Sequence, residues 1–196
     1  MTDDRLARQM AFIMELDKLK SVLRRTTLMD QSRQENSAEH SWHLGLMAML
    51  LAEHADEPVD VAKVVKMVLV HDVVEIDAGD TFCYDANGVL DQVEREERAA
   101  TRLFGLLPAE QAMELRSLWE EFDARESAEA RFATALDHLQ PVLNNFHSGG
   151  GTWVAHGITL EQVQTRMAPL AESSTSLAAY AGEIVAEALA RGYVKA

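Results

Sequence analysis

The sequence is poor in residues that interrupt helices and in residues that cross-link chains. Its 196 residues include only four prolines, ten glycines and one cysteine. Proline and glycine are the residues that helix interiors tolerate least, so their scarcity beside recurrent alanine, leucine and glutamate favours an all-α fold. The single cysteine, Cys83, excludes an internal disulfide framework and is typical of proteins in a reducing compartment.

Positive charge is scarce as well. Lysine and arginine number 18 against 32 aspartates and glutamates, which gives a formal net charge of −14. A chain of this kind lacks the basic surface that binding to a nucleic-acid backbone requires, and it is poorly matched to an anionic membrane. We therefore expect no nucleic-acid partner and no membrane partner. If the ligand is a phosphate, local cations must offset the negative field, and metal ions would do so.

Long apolar runs are absent too. No apolar segment approaches the ~18 residues needed to span a bilayer. The amino-terminal stretch MTDDRLARQM does not have the pattern of a signal peptide. These features predict a cytoplasmic protein. The length, with 47% hydrophobic residues, suits one domain, over residues 1–196, with a sizeable core.

The spacing of apolar residues predicts about seven or eight helices. Asn36 and Glu39 have the form of a capping box, which predicts that a helix begins there, and Thr159 with Gln162 predicts another helix start. The polar segment before Asn36 is interpreted as a loop, and no strand is predicted. The glycine-rich stretch 148–157 is interpreted as a flexible connector. The other predicted helices span about 4–22, 60–76, 91–104, 108–124, 127–145 and 174–191.

Residues 63–80 place a histidine and several carboxylates beside an apolar run. Burying an ionised carboxylate is costly unless a partner offsets its charge, so these groups either lie just outside the core or bind a cation. On a helix, His71 and Glu75 are four residues apart and share a face. Asp72 is offset from His71 by about 100° around the helix, close enough to converge on one ion. Asp77 is interpreted as a solvated helix-end residue.

Two further residues have the character of metal ligands. His40 lies one turn into the preceding helix, and Asp137 lies in the middle of a later helix among apolar neighbours. With His71 and Asp72 they offer two imidazoles and two carboxylates, a set that suits Mn²⁺, Co²⁺, Fe²⁺, Ni²⁺, Zn²⁺ or Mg²⁺. A six-coordinate ion with four protein ligands keeps two positions for water and substrate, which is typical of catalytic rather than structural sites.

The order H…HD…D formed by these four residues resembles the HD-domain metal-dependent phosphohydrolases. The motif EN-x-x-EHS at 35–41, and HD-x-x-E at 71–75 followed by GD at 79–80, are similar to the 5′-deoxynucleotidase-like subgroup. The resemblance implies a single helical HD domain, with a metal-site core over about 12–147 and C-terminal helices over about 158–191.

The resemblance also implies roles for individual residues. Glu75 would position or deprotonate the attacking water, or protonate the leaving group. Asp80 would support that water and contact the nucleotide sugar. One divalent metal ion would be held by His40, His71, Asp72 and Asp137.

Arg25 lies fifteen positions before His40, where the nucleotidases have an arginine, so the resemblance assigns it to the substrate phosphate. Arg24 is interpreted as a surface charge. The next residue in the family is typically a tryptophan that is thought to help select deoxyribose. Thr26 stands at that position here, so the sugar preference stays open.

We therefore expect a metal-dependent phosphomonoesterase that acts on (deoxy)ribonucleoside 5′-monophosphates. Two alternatives stay open. The same site would suit another nucleotide, such as a cyclic nucleotide, a nucleoside triphosphate or an alarmone. The chain would otherwise be a non-catalytic helical binding protein with a structural metal. A homodimer or higher homo-oligomer is expected, because most soluble oligomers of identical chains are two-fold dimers.

Overall fold

The computed structural model describes residues 4–85 and 90–196, so the predicted loop residues at 86–89 lie outside it. The described chain is built from helices and one two-stranded hairpin, and the predicted all-α fold class is confirmed. The helices are α1 (Asp4–Leu16), α2 (Ser37–Leu51), α3 (Val61–Val70), α4 (Glu75–Ala78), α5 (Gln92–Phe104), α6 (Ala109–Ala124), α7 (Ala128–His147), α8 (Gly151–His156), α9 (Leu160–Ala171) and α10 (Thr175–Ala190), and the strands are β1 (Leu23–Thr27) and β2 (Gln34–Asn36).

The segment before α2, predicted to be a loop, forms the hairpin. Strand β1 pairs antiparallel with β2, with Thr27 opposite Gln34. β-Branched threonines fit a pleated, half-buried surface, which is the local reason for the extended conformation. Side chains alternate across a strand, so Arg24 and Thr26 face inward while Arg25 is exposed. The hairpin therefore directs one arginine towards the interior.

The start of α2 is fixed by the predicted capping box. The Glu39 backbone N–H donates to Asn36 Oδ1 at 3.0 Å, and the Asn36 backbone N–H donates to Glu39 Oε1 at 2.7 Å. These bonds satisfy amides that have no partner inside the helix. The cap thereby places His40 in the first turn of α2, at the end nearest β2. The second predicted box, at Thr159 and Gln162, likewise begins α9.

The helix predicted over about 60–76 is interrupted. Helix α3 ends at Val70, residues His71–Val74 form a 3₁₀ turn, and α4 resumes at Glu75. A 3₁₀ turn has three residues per turn instead of 3.6, and such a stretch inside a helix often marks a functional segment. His71 and Asp72 therefore lie on the tighter turn, where both are buried.

Apolar residues from α2, α3, α7 and α10 pack into one cluster, in which Leu44, Met67 and Leu136 are fully buried. A second cluster joins α1 to α5 and to the turn after α3. Helix α7 contributes to the first cluster along most of its length. The packing of this helix in the core therefore fixes the position of Asp137. None of the helices described is long and apolar enough to cross a membrane.

The glycine-rich stretch 148–157 differs from the flexible connector predicted for it. Residues Gly151–His156 form the short helix α8, which begins after Gly150 at φ +98° and ends at Gly157 at φ +62°. A side chain would strain both positions, so glycine permits the two tight reversals. Trp153, with 2% of its surface exposed, packs into a third apolar cluster with Ile158 and Val185. Burial of this indole fixes the segment.

Candidate metal centre

His40 and Asp137 meet although 97 residues separate them. His40 is fully buried in the first turn of α2, and its Nε2 lies 2.9 Å from Asp137 Oδ1 on α7. The same carboxylate oxygen lies 3.8 Å from His71 Nε2. Asp137 therefore connects the histidine of α2 with the histidine of the 3₁₀ turn.

His71 presents one ring nitrogen to the centre and the other to the backbone. Its Nδ1 lies 2.9 Å from the Val68 carbonyl oxygen, and its Nε2 lies 3.0 Å from Asp72 Oδ1. A carbonyl only accepts hydrogen bonds, so it favours the tautomer with the proton on Nδ1. That arrangement leaves the Nε2 lone pair for a metal ion, as in most histidine metal ligands.

The residues fit a divalent cation. Ligand atoms of His40, His71 and Asp72 all lie within 4.8 Å of one another. His71 Nε2 is buried and makes no hydrogen bond of good geometry, although Asp72 Oδ1 lies 3.0 Å away. A buried polar atom in that state is typical of a position that binds an ion or a water molecule. Asp137 adds a second carboxylate to this mixed nitrogen and oxygen set. The structure thus brings the four predicted ligands together, and their coordination of a metal stays a prediction.

Arg24, interpreted from the sequence as a surface charge, instead faces these groups from the hairpin, with only 12% of its side chain exposed. Its Nη1 lies 3.1 Å from Asp72 Oδ2, and its Nη2 lies 4.0 Å from Asp137 Oδ1. Burial by itself would lower the pKa of Arg24, but the surrounding carboxylates raise it further above its usual value. Arg24 is therefore a permanent cation that already offsets part of the negative charge of the site.

Glu75 lies in the same buried region. The Ser37 hydroxyl donates to Glu75 Oε2 at 2.5 Å. Burial, and then the neighbouring charge of Asp72, raise the pKa of Glu75 well above its usual value. A carboxyl group whose pKa is raised in this way suits proton transfer near neutral pH.

Asp80 and Arg25 lie at the edge of the centre. Asp80 is 3.9 Å from Arg24 Nη1 and accepts a hydrogen bond from the Arg25 backbone. Burial raises the pKa of Asp80, and the charge of Arg24 opposes that rise. The Arg25 side chain is exposed where it lines the cavity. Asp77, predicted to be solvated, pairs with Arg102 at the surface.

Glu35 is a contributor that the sequence did not single out, although it is the first residue of the EN-x-x-EHS motif. It is 2% exposed, and it accepts a hydrogen bond from Gln140 Nε2 at 2.5 Å. Its Oε2 lies 3.5 Å from His40 Nδ1, the nitrogen that faces away from Asp137. Glu35 therefore lies where it can hold the His40 ring in place from behind.

A cavity of about 200 Å³ lies beside these groups. His71, Asp72, Glu75 and Asp137 form one side of it, and Thr26 also lines it. The remaining walls come from helices α5 to α9 and from the segment that follows α4. Three of the four candidate ligands, His71, Asp72 and Asp137, thus face a space that a small molecule can enter, while His40 lies fully buried behind them.

The chain matches proteins of known family. The sequence pattern of the HD domain family covers residues 16–178. The Homo sapiens protein named 5′-deoxynucleotidase HDDC2 is 33% identical over 111 residues, which are 57% of this chain and 53% of that protein. The Bos taurus protein of the same name is 34% identical over 109 residues. The chain spans about half the length of the curated relatives it matches.

Two solved structures share the fold. A predicted metal-dependent phosphohydrolase from Magnetospirillum magnetotacticum MS-1 is 55% identical, with a TM-score of 0.95 over 98% of this chain and 97% of that one. A conserved hypothetical protein from Pyrococcus furiosus is 22% identical, with a TM-score of 0.63 over 91% of this chain and 97% of that one. The second likeness concerns the fold alone.

Proposed function

Because the chain belongs to the HD domain family, as its resemblance to that family predicted, we propose that it is a metal-dependent phosphohydrolase. Its proposed reaction is hydrolysis of (deoxy)ribonucleoside 5′-monophosphates to nucleoside and phosphate. The observation that carries the proposal is the convergence of His40, His71, Asp72 and Asp137 beside the cavity. The relatives named 5′-deoxynucleotidase support the choice of substrate class.

Those four residues would hold the metal ion, which is Mn²⁺, Co²⁺, Fe²⁺, Ni²⁺, Zn²⁺ or Mg²⁺. Elemental analysis of the purified protein identifies it. When bound, such an ion activates water and offsets negative charge on phosphoryl oxygens. The protein's own part is to orient the ligands. The Val68 carbonyl holds the ring of His71, and Glu35 lies behind the ring of His40.

Glu75 is the proposed proton-transfer residue. Its carboxyl group is buried next to Asp72, and burial, followed by the charge of Asp72, raises its pKa well above the usual value, which favours the protonated form. In the protonated form it can give its proton to the leaving nucleoside oxygen, and in the ionised form it can accept one from the attacking water. The Ser37 hydroxyl donates a hydrogen bond to Glu75 Oε2. This bond fixes the orientation of the carboxyl group and leaves Oε1 for proton transfer. Asp80 is proposed to support the water and to contact the sugar.

Arg25 is the proposed phosphate contact at the cavity edge, where its backbone is fixed by Asp80. Arg24 lies deeper and balances the carboxylates. The position at which the nucleotidases typically carry tryptophan is the buried Thr26, a much smaller side chain. We therefore propose that discrimination between ribose and deoxyribose is weaker here or comes from other groups.

The decisive experiment measures phosphate release by the purified protein with Mn²⁺ or Co²⁺ against a panel of nucleotides. We expect inorganic phosphate from nucleoside 5′-monophosphates and loss of activity in His71→Ala. His54→Ala is the matched control, because His54 is exposed on a short turn after α2 and lies outside the cavity. Absence of phosphate release with every metal would refute the proposal.

Product analysis separates the alternatives. Pyrophosphate, or a linear product from a cyclic nucleotide, would indicate another nucleotide substrate at the same site. A non-catalytic protein with a structural metal would instead unfold on chelation, since structural metal sites supply folding free energy. A catalytic site predicts a folded but inactive protein after chelation.

We also propose that the chain forms a single domain and assembles as a homodimer or higher homo-oligomer. One face of α2 supports the assembly, because Trp42 is 60% exposed, Met49 64% and Leu50 73%. Exposed apolar residues that share a face often mark a protein–protein interface. Light scattering coupled to gel filtration measures the mass, and a monomer at micromolar concentration would contradict this proposal.

A further inference from the structure

The cavity contains a cation that the proposed reaction has not used. Four arginines line it, namely Arg24, Arg25, Arg125 and Arg166. The side chains of Arg25 and Arg125 are exposed at the rim. Arg166 lines the cavity from α9, and 35% of its side chain is exposed. It is thus accessible to a ligand inside the cavity while partly shielded from solvent.

The ion-pair partners distinguish Arg166 from Arg24. Arg24 lies within 4.0 Å of four carboxylates, those of Glu35, Asp72, Asp80 and Asp137, so its charge is balanced inside the protein. The ion pair of Arg166 is with Asp137, at 3.5 Å between Nη2 and Oδ2. That distance is at the long end of hydrogen bonding. Arg166 therefore has more of its charge available for a bound anion.

Asp137 places Arg166 next to the metal centre. One oxygen of this carboxylate, Oδ1, lies 2.9 Å from His40 Nε2, while the other, Oδ2, faces Arg166. The guanidinium charge also acts on Cys83 and Tyr84, which line the same cavity. Burial raises the pKa of the Cys83 thiol and of the Tyr84 phenol, and the charge of Arg166 opposes both rises. Arg166 thus lies beside Asp137 and lines the same cavity as Cys83 and Tyr84.

Helix α9 does not need this arginine to dock. Val163 and Leu170 on the same helix are almost fully buried, and Met167 packs against the apolar clusters. These side chains account for the packing of α9 on α7. A long polar side chain directed into the cavity is therefore better explained by a ligand than by helix docking.

Resting on the proposed phosphohydrolase function, the geometry points to Arg166 as a second phosphate-binding residue. Its planar guanidinium donates several N–H groups in a fixed fork, which matches the oxygens of a phosphate group. The ligand class is a phosphate monoester, or inorganic phosphate as the product. Arg166 contacts the phosphate from α9, beside Asp137 and the other candidate metal ligands.

The test measures binding of inorganic phosphate to Mn²⁺-loaded protein by isothermal titration calorimetry. Arg166→Ala is expected to weaken phosphate binding about 10- to 100-fold, the range for one lost charge-assisted hydrogen bond. Arg166→Lys is expected to retain part of the affinity. Mn²⁺ affinity is expected to stay within about two-fold, and a thermal melt confirms folding. Arg98→Ala is the matched control, because Arg98 is 69% exposed on α5 and lies outside the cavity.

Several results would overturn the assignment. These are no phosphate binding by the wild type, unchanged binding in Arg166→Ala, or an equal loss in Arg98→Ala. A parallel loss of Mn²⁺ affinity would show that Arg166 only positions Asp137. The proposed function is tested separately, by release of phosphate from nucleotides. If the protein binds phosphate through Arg166 but releases none from nucleotides, the assignment of Arg166 stands and the proposed function is refuted.

Discussion

Binding of a divalent ion should raise the unfolding temperature by an amount that can be worked out in advance. A ligand that binds only the folded state at 100 times its dissociation constant stabilises that state by about 2.7 kcal/mol. The entropy of unfolding is about 2.1 cal/mol/K per residue, or about 0.41 kcal/mol/K for 196 residues. Dividing the two gives an expected rise of about 6–7 °C.

The experiment removes the metal ion with a chelator and, separately, removes one carboxylate by substitution of Asp72 or Asp77. Differential scanning calorimetry would follow wild type, Asp72→Asn and Asp77→Asn, each with Mn²⁺ and with chelator. Asp72→Asn should lose most of the metal-dependent rise, because its carboxylate lies within the cluster formed with His40 and His71. Asp77→Asn should keep the full rise, because Asp77 pairs with Arg102 at the surface.

Two results would refute the reasoning. If Asp72→Asn and Asp77→Asn showed the same metal-dependent rise, the ion would bind somewhere other than this cluster. If the wild type unfolded at room temperature on chelation, the metal would be structural, because a structural metal site supplies the folding free energy of its domain. A folded metal-free protein with a lower unfolding temperature is the expected outcome.

Three further predictions concern neighbouring side chains. Glu75→Gln should lower kcat about 10²- to 10⁴-fold, since the amide keeps the shape of the side chain but cannot transfer the proton. The affinity for Mn²⁺, measured by calorimetry, should stay unchanged. A kcat equal to that of the wild type would exclude proton transfer by Glu75. Glu35→Gln should weaken Mn²⁺ binding about 10- to 100-fold, because the Glu35 carboxylate lies 3.5 Å from His40 Nδ1, where its charge can orient the ring; unaltered affinity would argue against that support. Arg24→Met should lower the unfolding temperature more in metal-free than in Mn²⁺-loaded protein, because the ion replaces the lost positive charge among the carboxylates; equal decreases would contradict it.

Local signals in the sequence predicted much of the fold. Capping depends on a few adjacent residues, so the helix starts at Asn36 and at Thr159 were predicted correctly. The hairpin was missed because its strands are only five and three residues long, too short for a clear alternating pattern. The 3₁₀ turn was missed because the apolar pattern over Val64–Val74 is compatible with a continuous helix.

The candidate site divides in the same way. His40, His71, Asp72 and Asp137 were identified from residue type and order, because metal ligands are chemically restricted. The interpretation of Arg24 as a surface charge was wrong, since residue type does not show which of two adjacent arginines faces inward. The strand pleat decided between them, turning Arg24 inward and leaving Arg25 exposed.

The sequence by itself determined the helical class, the family resemblance and the residues able to hold a metal, because these depend on residue type and local spacing. The tertiary structure alone decided which cations face the site. Arg166 is separated from Asp137 by 29 residues, and no local pattern predicts that α9 will direct it into the cavity. Packing of α9 against α7 sets that contact, because long-range positions follow from how apolar faces fit together.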